Sequence, residues 1–138
     1  MDYKLELVLI PVSDVDRAKQ FYLEQAGFVL IVDTRIGEGQ RVVQLVPPGS
    51  ECAIGFGTGI TSAAPGSAQG LHLVVRDIVA ARDELTGRGL KVGPVRHLED
   101  GHWVDGPHPE RGNYESFADF TDPDGNIWVL QEVDRGKG

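Results

Sequence analysis

Few side chains in this sequence can do acid–base or nucleophilic chemistry near neutral pH. They are His72, His97, His102, His108 and the single thiol, Cys52. An imidazole titrates close to neutrality, so a histidine held beside a ligand serves as general acid or base. His72 lies in Leu71-His72-Leu73-Val74-Val75, a strand-like run in which alternate residues share a face. It shares its face with Gly70 and Val74. Two readings stand for it: an acid or base at a site, or a half-buried imidazole bonded to a neighbouring carbonyl or water. Gln131, in the run Ile127 to Val133, carries an amide that either orients a ligand oxygen or sits at a polar rim.

The other three histidines fall in the segment His97 to Asn113, which reads as a long loop. Their spacing fits no tetrahedral metal motif. Loops of this length are often functional lids. This one is expected to place Trp103 against an apolar ligand, with Tyr114 or Phe117, or else to pack on the sheet. Glu110 and Arg111 read as a solvated pair, and Asp119 as a strand-edge residue. Cys52 keeps step with Ile54 and Phe56 and reads as a small buried hydrophobe. A lone cysteine makes neither an internal disulfide nor a cysteine-built zinc site, and it fits a reducing cytoplasm. Gly37 and Gly39 lack the strand-to-helix setting of a nucleotide site and mark a hairpin tip.

The elements that must position these residues repeat. Leu7 to Asp14 is a strand broken at Ser13-Asp14, and Val15, Ala18, Phe21 and Tyr22 follow at helical spacing up to Gly27. Asp14 is the expected N-cap. Leu71 to Asp77 is again a strand broken at an aspartate, followed by Ile78, Ala81, Arg82 and Leu85 and stopped near Gly87 and Gly89. Phe28–Thr34 and Leu90–Val95 are expected as the strands after the helices. Arg41–Val46 with Cys52–Phe56, and Glu115–Thr121 with Ile127–Val133, are expected as hairpins. The chain thus reads as two βαβββ units, 5–57 and 70–134, joined by a linker at 58–69. With 138 residues, 41% apolar, it is too short for two ordinary domains and reads as one. The expected fold is α+β, two curled antiparallel sheets around a cup with a helix on the outer face of each. Alternation then turns Leu7, Leu9, His72, Val129 and Gln131 toward the cup.

Charge excludes several partners. The 13 lysines and arginines are scattered and outnumbered by 21 acids, for a net charge of -8. A nucleic-acid or anionic-membrane binder would show a basic stripe. No apolar run approaches the roughly 18 residues of a membrane span. Nor does a basic and then apolar leader open the sequence.

The segment Pro11 to Tyr22, Gly27-Phe28 after the helix, and the turn Asp122-Pro123-Asp124-Gly125-Asn126 resemble the vicinal oxygen chelate superfamily, the glyoxalase, bleomycin-resistance protein and extradiol dioxygenase group. The resemblance runs from Leu5 to Val133. It implies a cup whose enzymes hold a divalent metal through His, Gln or Glu, one from each of four strands. Transferred position by position, those four ligands fall on Leu7, Gly55, Gly70 and Val129. None has a side-chain donor for a metal. The resemblance therefore implies a metal-free, cofactor-free relative that binds a small apolar or aromatic molecule, as bleomycin-resistance proteins do. Leu7, Leu9, Gly55, Gly70, His72, Trp103, Tyr114, Phe117, Val129 and Gln131 would line the site. A metal-independent isomerase, cyclase or lyase using His72 is the alternative, and a metal-dependent lyase or dioxygenase a further one. The family also implies a homodimer, and the composition a cytoplasmic protein.

Overall fold

The computed structural model describes residues 1–135. The chain forms two compact units, one of residues 1–68 and 122–126, the other of residues 69–121 and 127 onward.

In the first unit, β1 (Leu7–Leu9), β4 (Ala53–Gly57), β3 (Arg41–Val46) and β2 (Val29–Arg35) lie side by side in that order. Neighbours are antiparallel except β1, which runs parallel to β4. Helix α1 (Val15–Gln20) starts where the sequence predicts. The Asp14 carboxylate accepts from the Arg17 N–H at 3.1 Å and so occupies an otherwise orphaned donor. The helix then widens into a π-helical turn, Phe21–Gln25, closed by a bond from Ala26 N–H to the Phe21 carbonyl. Gly27, at φ 75°, ends it in a conformation that favours glycine. Phe21 and Tyr22 both point inward from this widened turn and are buried.

Tyr22 stacks near Phe28 and Phe56, and its hydroxyl donates to Asp122 at 2.7 Å. Asp122 also accepts from the backbone of Asp124 and from both the backbone and the side chain of Asn126. Asn126 in turn donates to the Pro11 carbonyl. The Asp-Pro-Asp-Gly-Asn turn is therefore a hydrogen-bonded knot anchored by the buried Asp122 and Asn126.

In the second unit the order is β5 (Leu71–Val75), β9 (Ile127–Glu132), β8 (Phe117–Thr121), β6 (Arg96–Glu99) and β7 (His102–Asp105). Here β5 runs parallel to β9 and the remaining neighbours are antiparallel. Helix α2 (Ile78–Gly87) is capped by Asp77 as α1 is by Asp14, with its carboxylate accepting from Ala80 N–H. The alternation holds: Trp128 and Leu130 are buried on β9, and His72 and Val74 are exposed on β5.

Three expectations are corrected. Leu90–Val95 is not a strand. Its carbonyls at Val92 and Gly93 are taken by the Arg82 guanidinium on α2, and Pro94 has no N–H to give a ladder. The strand begins instead at Arg96, and the supposed loop His97 to Asn113 opens with the β6–β7 hairpin. Asp100 and Gly101 form its two-residue turn, at φ 51° and 80°, the left-handed pair that a type I′ turn requires. Cys52 is half-buried and precedes β4 instead of lying inside the core.

Candidate functional site

Each unit turns one sheet face away from its helix, and the strand residues singled out by sequence lie on these faces, while Gly70 precedes β5 and Tyr114 lies in a turn. In the first unit Leu7 and Leu9 are 36% and 40% exposed, and Leu9 is in register with Gly55 on β4. A Cβ at Gly55 would sit 3.0 Å from Leu7 Cδ1, 3.5 Å from Leu9 Cδ2 and 3.6 Å from Gln44 Cγ. The three predicted residues are thus one contiguous patch, and the missing side chain at Gly55 is what lets the two leucines lean over β4. On this unit the charges are fastened elsewhere. Arg41 pairs with Asp33 and Asp16, and Lys19 also reaches Asp33. Hydrogen bonds from Arg41 and Lys19 hold the Asp33 carboxyl well below the usual carboxylate range, and Asp33 raises Arg41 in return.

The second unit's face is polar and aromatic. His72 is in register with Val129, and Val129 with Asp119; Gln131 is in register with Val74 on one side and Phe117 on the other. His72, Val129 and Gln131 therefore share one sheet face with Phe117. His72 Nδ1 lies 2.6 Å from the Gly70 carbonyl. A carbonyl only accepts, so Nδ1 carries the hydrogen and donates it. Gly70, at φ 74°, makes the turn that aims this carbonyl. Trp103, on β7 and 49% exposed, meets Phe117 edge-on with ring centres 5.8 Å apart. Tyr114 is exposed on left-handed backbone, with its N–H on the Glu132 carbonyl.

Sequence reasoning missed Arg96 and misread Asp119. Arg96 lies over the Trp103 ring, 4.4 Å from its centre, and donates to Asp119 Oδ2 at 2.7 Å. Asp119 is on the inner strand β8, not at a sheet edge. The Asp-Gly pair at 100–101 was the available signal, because a hairpin there puts Arg96 and Trp103 on neighbouring strands.

Arg111 is also corrected. It is not a solvated partner of Glu110 but a clamp on Glu132, which is 1% exposed, with donations at 3.0 and 2.7 Å. It reaches Asp77 as well, at 3.1 Å. The Glu132 carboxylate, which also accepts the Ile78 N–H at the start of α2, pushes Arg111 above its ordinary value. The segment after β7 is thereby tied down. His108 N–H donates to Ser116 Oγ, and Asp134 N–H to Asn113 Oδ1.

His97 is buried, with Nδ1 on the Gly106 carbonyl and its ring 5.4 Å from that of His108, while His102 stays exposed. These rings brace the hairpin. No group of three or more His, Cys, Asp or Glu suited to a metal ion occurs among the described residues. Leu7, Gly55, Gly70 and Val129 do not fit the metal of the related enzymes, because hydrocarbon and hydrogen offer it no lone pair.

Two sheets, of four and five strands, each built on a strand–helix–strands unit, define a glyoxalase-like fold. A model of the Glyoxalase/Bleomycin resistance protein/Dioxygenase superfamily matches residues 4–130, and the chain belongs to that superfamily. Among solved structures it is similar to TnmS3, an antibiotic binding protein from Streptomyces sp. CB03234. That pair shows 31% identity, a TM-score of 0.74, and coverage of 96% of this chain and 98% of the other. A glyoxalase/bleomycin resistance protein from the same Streptomyces is 32% identical at a TM-score of 0.70, over 93% and 99% of the two chains. The uncharacterized protein YetH of Bacillus subtilis is 25% identical over 91% of this chain and 94% of its own. No helix among the described residues is long and apolar enough to cross a membrane.

Proposed function

We propose that this protein binds a small apolar or aromatic organic molecule without a metal, in the manner of an antibiotic-sequestering member of the superfamily. The observation that carries this reading is the contiguous Leu7–Leu9–Gly55 patch, where the related enzymes place two of their metal ligands and this chain has only hydrocarbon. In the first unit the proposed ligand contacts are Leu7, Leu9 and Gly55. In the second they are Gly70, His72, Trp103, Tyr114, Phe117, Val129 and Gln131. The similarity to TnmS3, whose description is that of an antibiotic binding protein, supports a ligand of this kind. We further propose a single domain acting as a cytoplasmic homodimer, since exposed leucines on a sheet face favour cover by a second copy.

A second reading is favoured by the hydrogen bond that fixes the His72 tautomer. With Nδ1 engaged at the Gly70 carbonyl, Nε2 is the ring nitrogen left to exchange a proton on an open sheet face, which suits a metal-independent isomerase, cyclase or lyase.

One experiment separates the two. Protein first shown by elemental analysis to hold well under one metal per chain, and by light scattering to exceed the 15.0 kDa of one chain, is titrated with 1-hydroxypyrene, a planar fluorescent aromatic. Under the binding reading, Trp103→Ala weakens affinity by about tenfold and His72→Ala by less, as expected of lost stacking against a lost neutral hydrogen bond. Under the catalytic reading, His72→Ala leaves affinity intact and cuts turnover of a converted ligand by about a hundredfold or more. A stoichiometric metal at these positions overturns both. A monomer removes the dimer alone.

A further inference from the structure

Asp119 has more acceptor capacity than the protein uses. An ionised carboxylate offers about four lone-pair sites. Asp119 accepts from Arg96 at Oδ2, while Oδ1 is shielded and has no hydrogen-bond partner among the described residues. The Asp119 side chain is 37% exposed although Oδ1 is shielded, so Oδ2 is the oxygen open to solvent, and its one bond from Arg96 leaves it a lone pair for a second donor. The neighbours say what kind of molecule would bring one. Arg96 lies over the Trp103 ring, Trp103 meets Phe117 edge-on, and Val129 lies in register with Asp119 on the adjoining strand. This is a platform for a flat ring, with one acceptor beside it. The Arg96 guanidinium cancels the Asp119 charge locally, so the platform selects for a neutral donor and not for a cation.

We infer that Asp119 is a specificity residue, the acceptor for a hydroxyl or N–H carried by a flat aromatic ligand resting against Trp103 and Phe117. The inference rests on the binding reading above and narrows its ligand to aromatics with a neutral hydrogen-bond donor.

The test compares 1-hydroxypyrene with 1-methoxypyrene, which has the same ring and no donor, by fluorescence titration of the full chain. The wild type is expected to prefer the hydroxyl compound by about tenfold or more, the size of a hydrogen bond to a charged group. In Asp119→Ala the preference, read as the ratio of the two affinities in the same variant, should fall below about threefold. Asp119→Asn, which keeps shape and volume, should fall in between and carries the test if the alanine variant misfolds by circular dichroism. Equal affinity of wild type for both probes, or a preference that survives in the variants, overturns the role of Asp119 and leaves aromatic binding standing. Failure of both probes to bind overturns the binding reading and this inference with it.

Discussion

The first unit presents Leu7, Leu9 and Gly55 on its open sheet face; the second presents His72, Gln131, Asp119, Arg96 and Trp103 on its own. Both are built on the same plan, an Asp-capped helix between a short parallel edge strand and a run of antiparallel strands. The difference lies in what was added. The second unit carries the β6–β7 hairpin, with five strands against four, and that hairpin supplies both Arg96 and Trp103. A face made of hydrocarbon selects ligands by shape and area, whereas a face with donors and acceptors selects by orientation. The ion pairs follow the same division. The first unit uses Arg41 to tie α1 to the β2–β3 hairpin, through contacts that are largely at the surface. The second buries Glu132 and closes Arg111 over it.

The largest effect should come from breaking that buried pair. Glu132→Ala leaves Arg111 without its main partner and the Ile78 N–H without an acceptor, and should cost about 3 kcal/mol or more in urea unfolding. A loss below about 1 kcal/mol would show that the clamp behaves as a surface ion pair, like those of the first unit. Next in size is Gly55→Leu. It drives a side chain against Leu7 and Leu9 and should destabilise by about 1–3 kcal/mol, while abolishing whatever the first face contributes to binding. Unchanged 1-hydroxypyrene affinity in that variant would assign binding to the second unit alone.

The smallest effect is that of pH. Asp33, Asp16 and Asp77 titrate below the ordinary carboxylate value, the first two through Arg41 and the third mainly through the Ala80 N–H. A lowered folded value means that their stabilisation is present above about pH 4 and is lost as the pH falls through the folded values. The urea midpoint should therefore decline steadily below about pH 4. Arg41→Met should flatten that decline by removing the partner of two of the three groups. A midpoint indifferent to acid in the wild type would show that these contacts carry no net stability.

Much of this molecule follows from local sequence alone. The Asp14 cap, the strand break at Asp77, the stop at Gly27 and the alternation on β1, β5 and β9 were legible because each depends on neighbours within a few residues, through one hydrogen bond or one period of two. The same holds for the absence of donor side chains at Leu7, Gly55, Gly70 and Val129, which residue type alone decides. The β6–β7 turn was legible in principle from Asp100-Gly101, but the histidines around it drew the segment toward a loop. What only the tertiary structure decided are the long-range polar choices. Arg82 takes the carbonyls of Val92 and Gly93 and so denies Leu90–Val95 a place in the sheet. Arg111 turns from adjacent Glu110 to Glu132, 21 residues away, because a buried carboxylate without a partner costs more than a surface one. Arg96 meets both Asp119 and Trp103 only because three strands bring them side by side. Such pairings are set by which charges burial leaves in need of each other, and no spacing along the chain records that need.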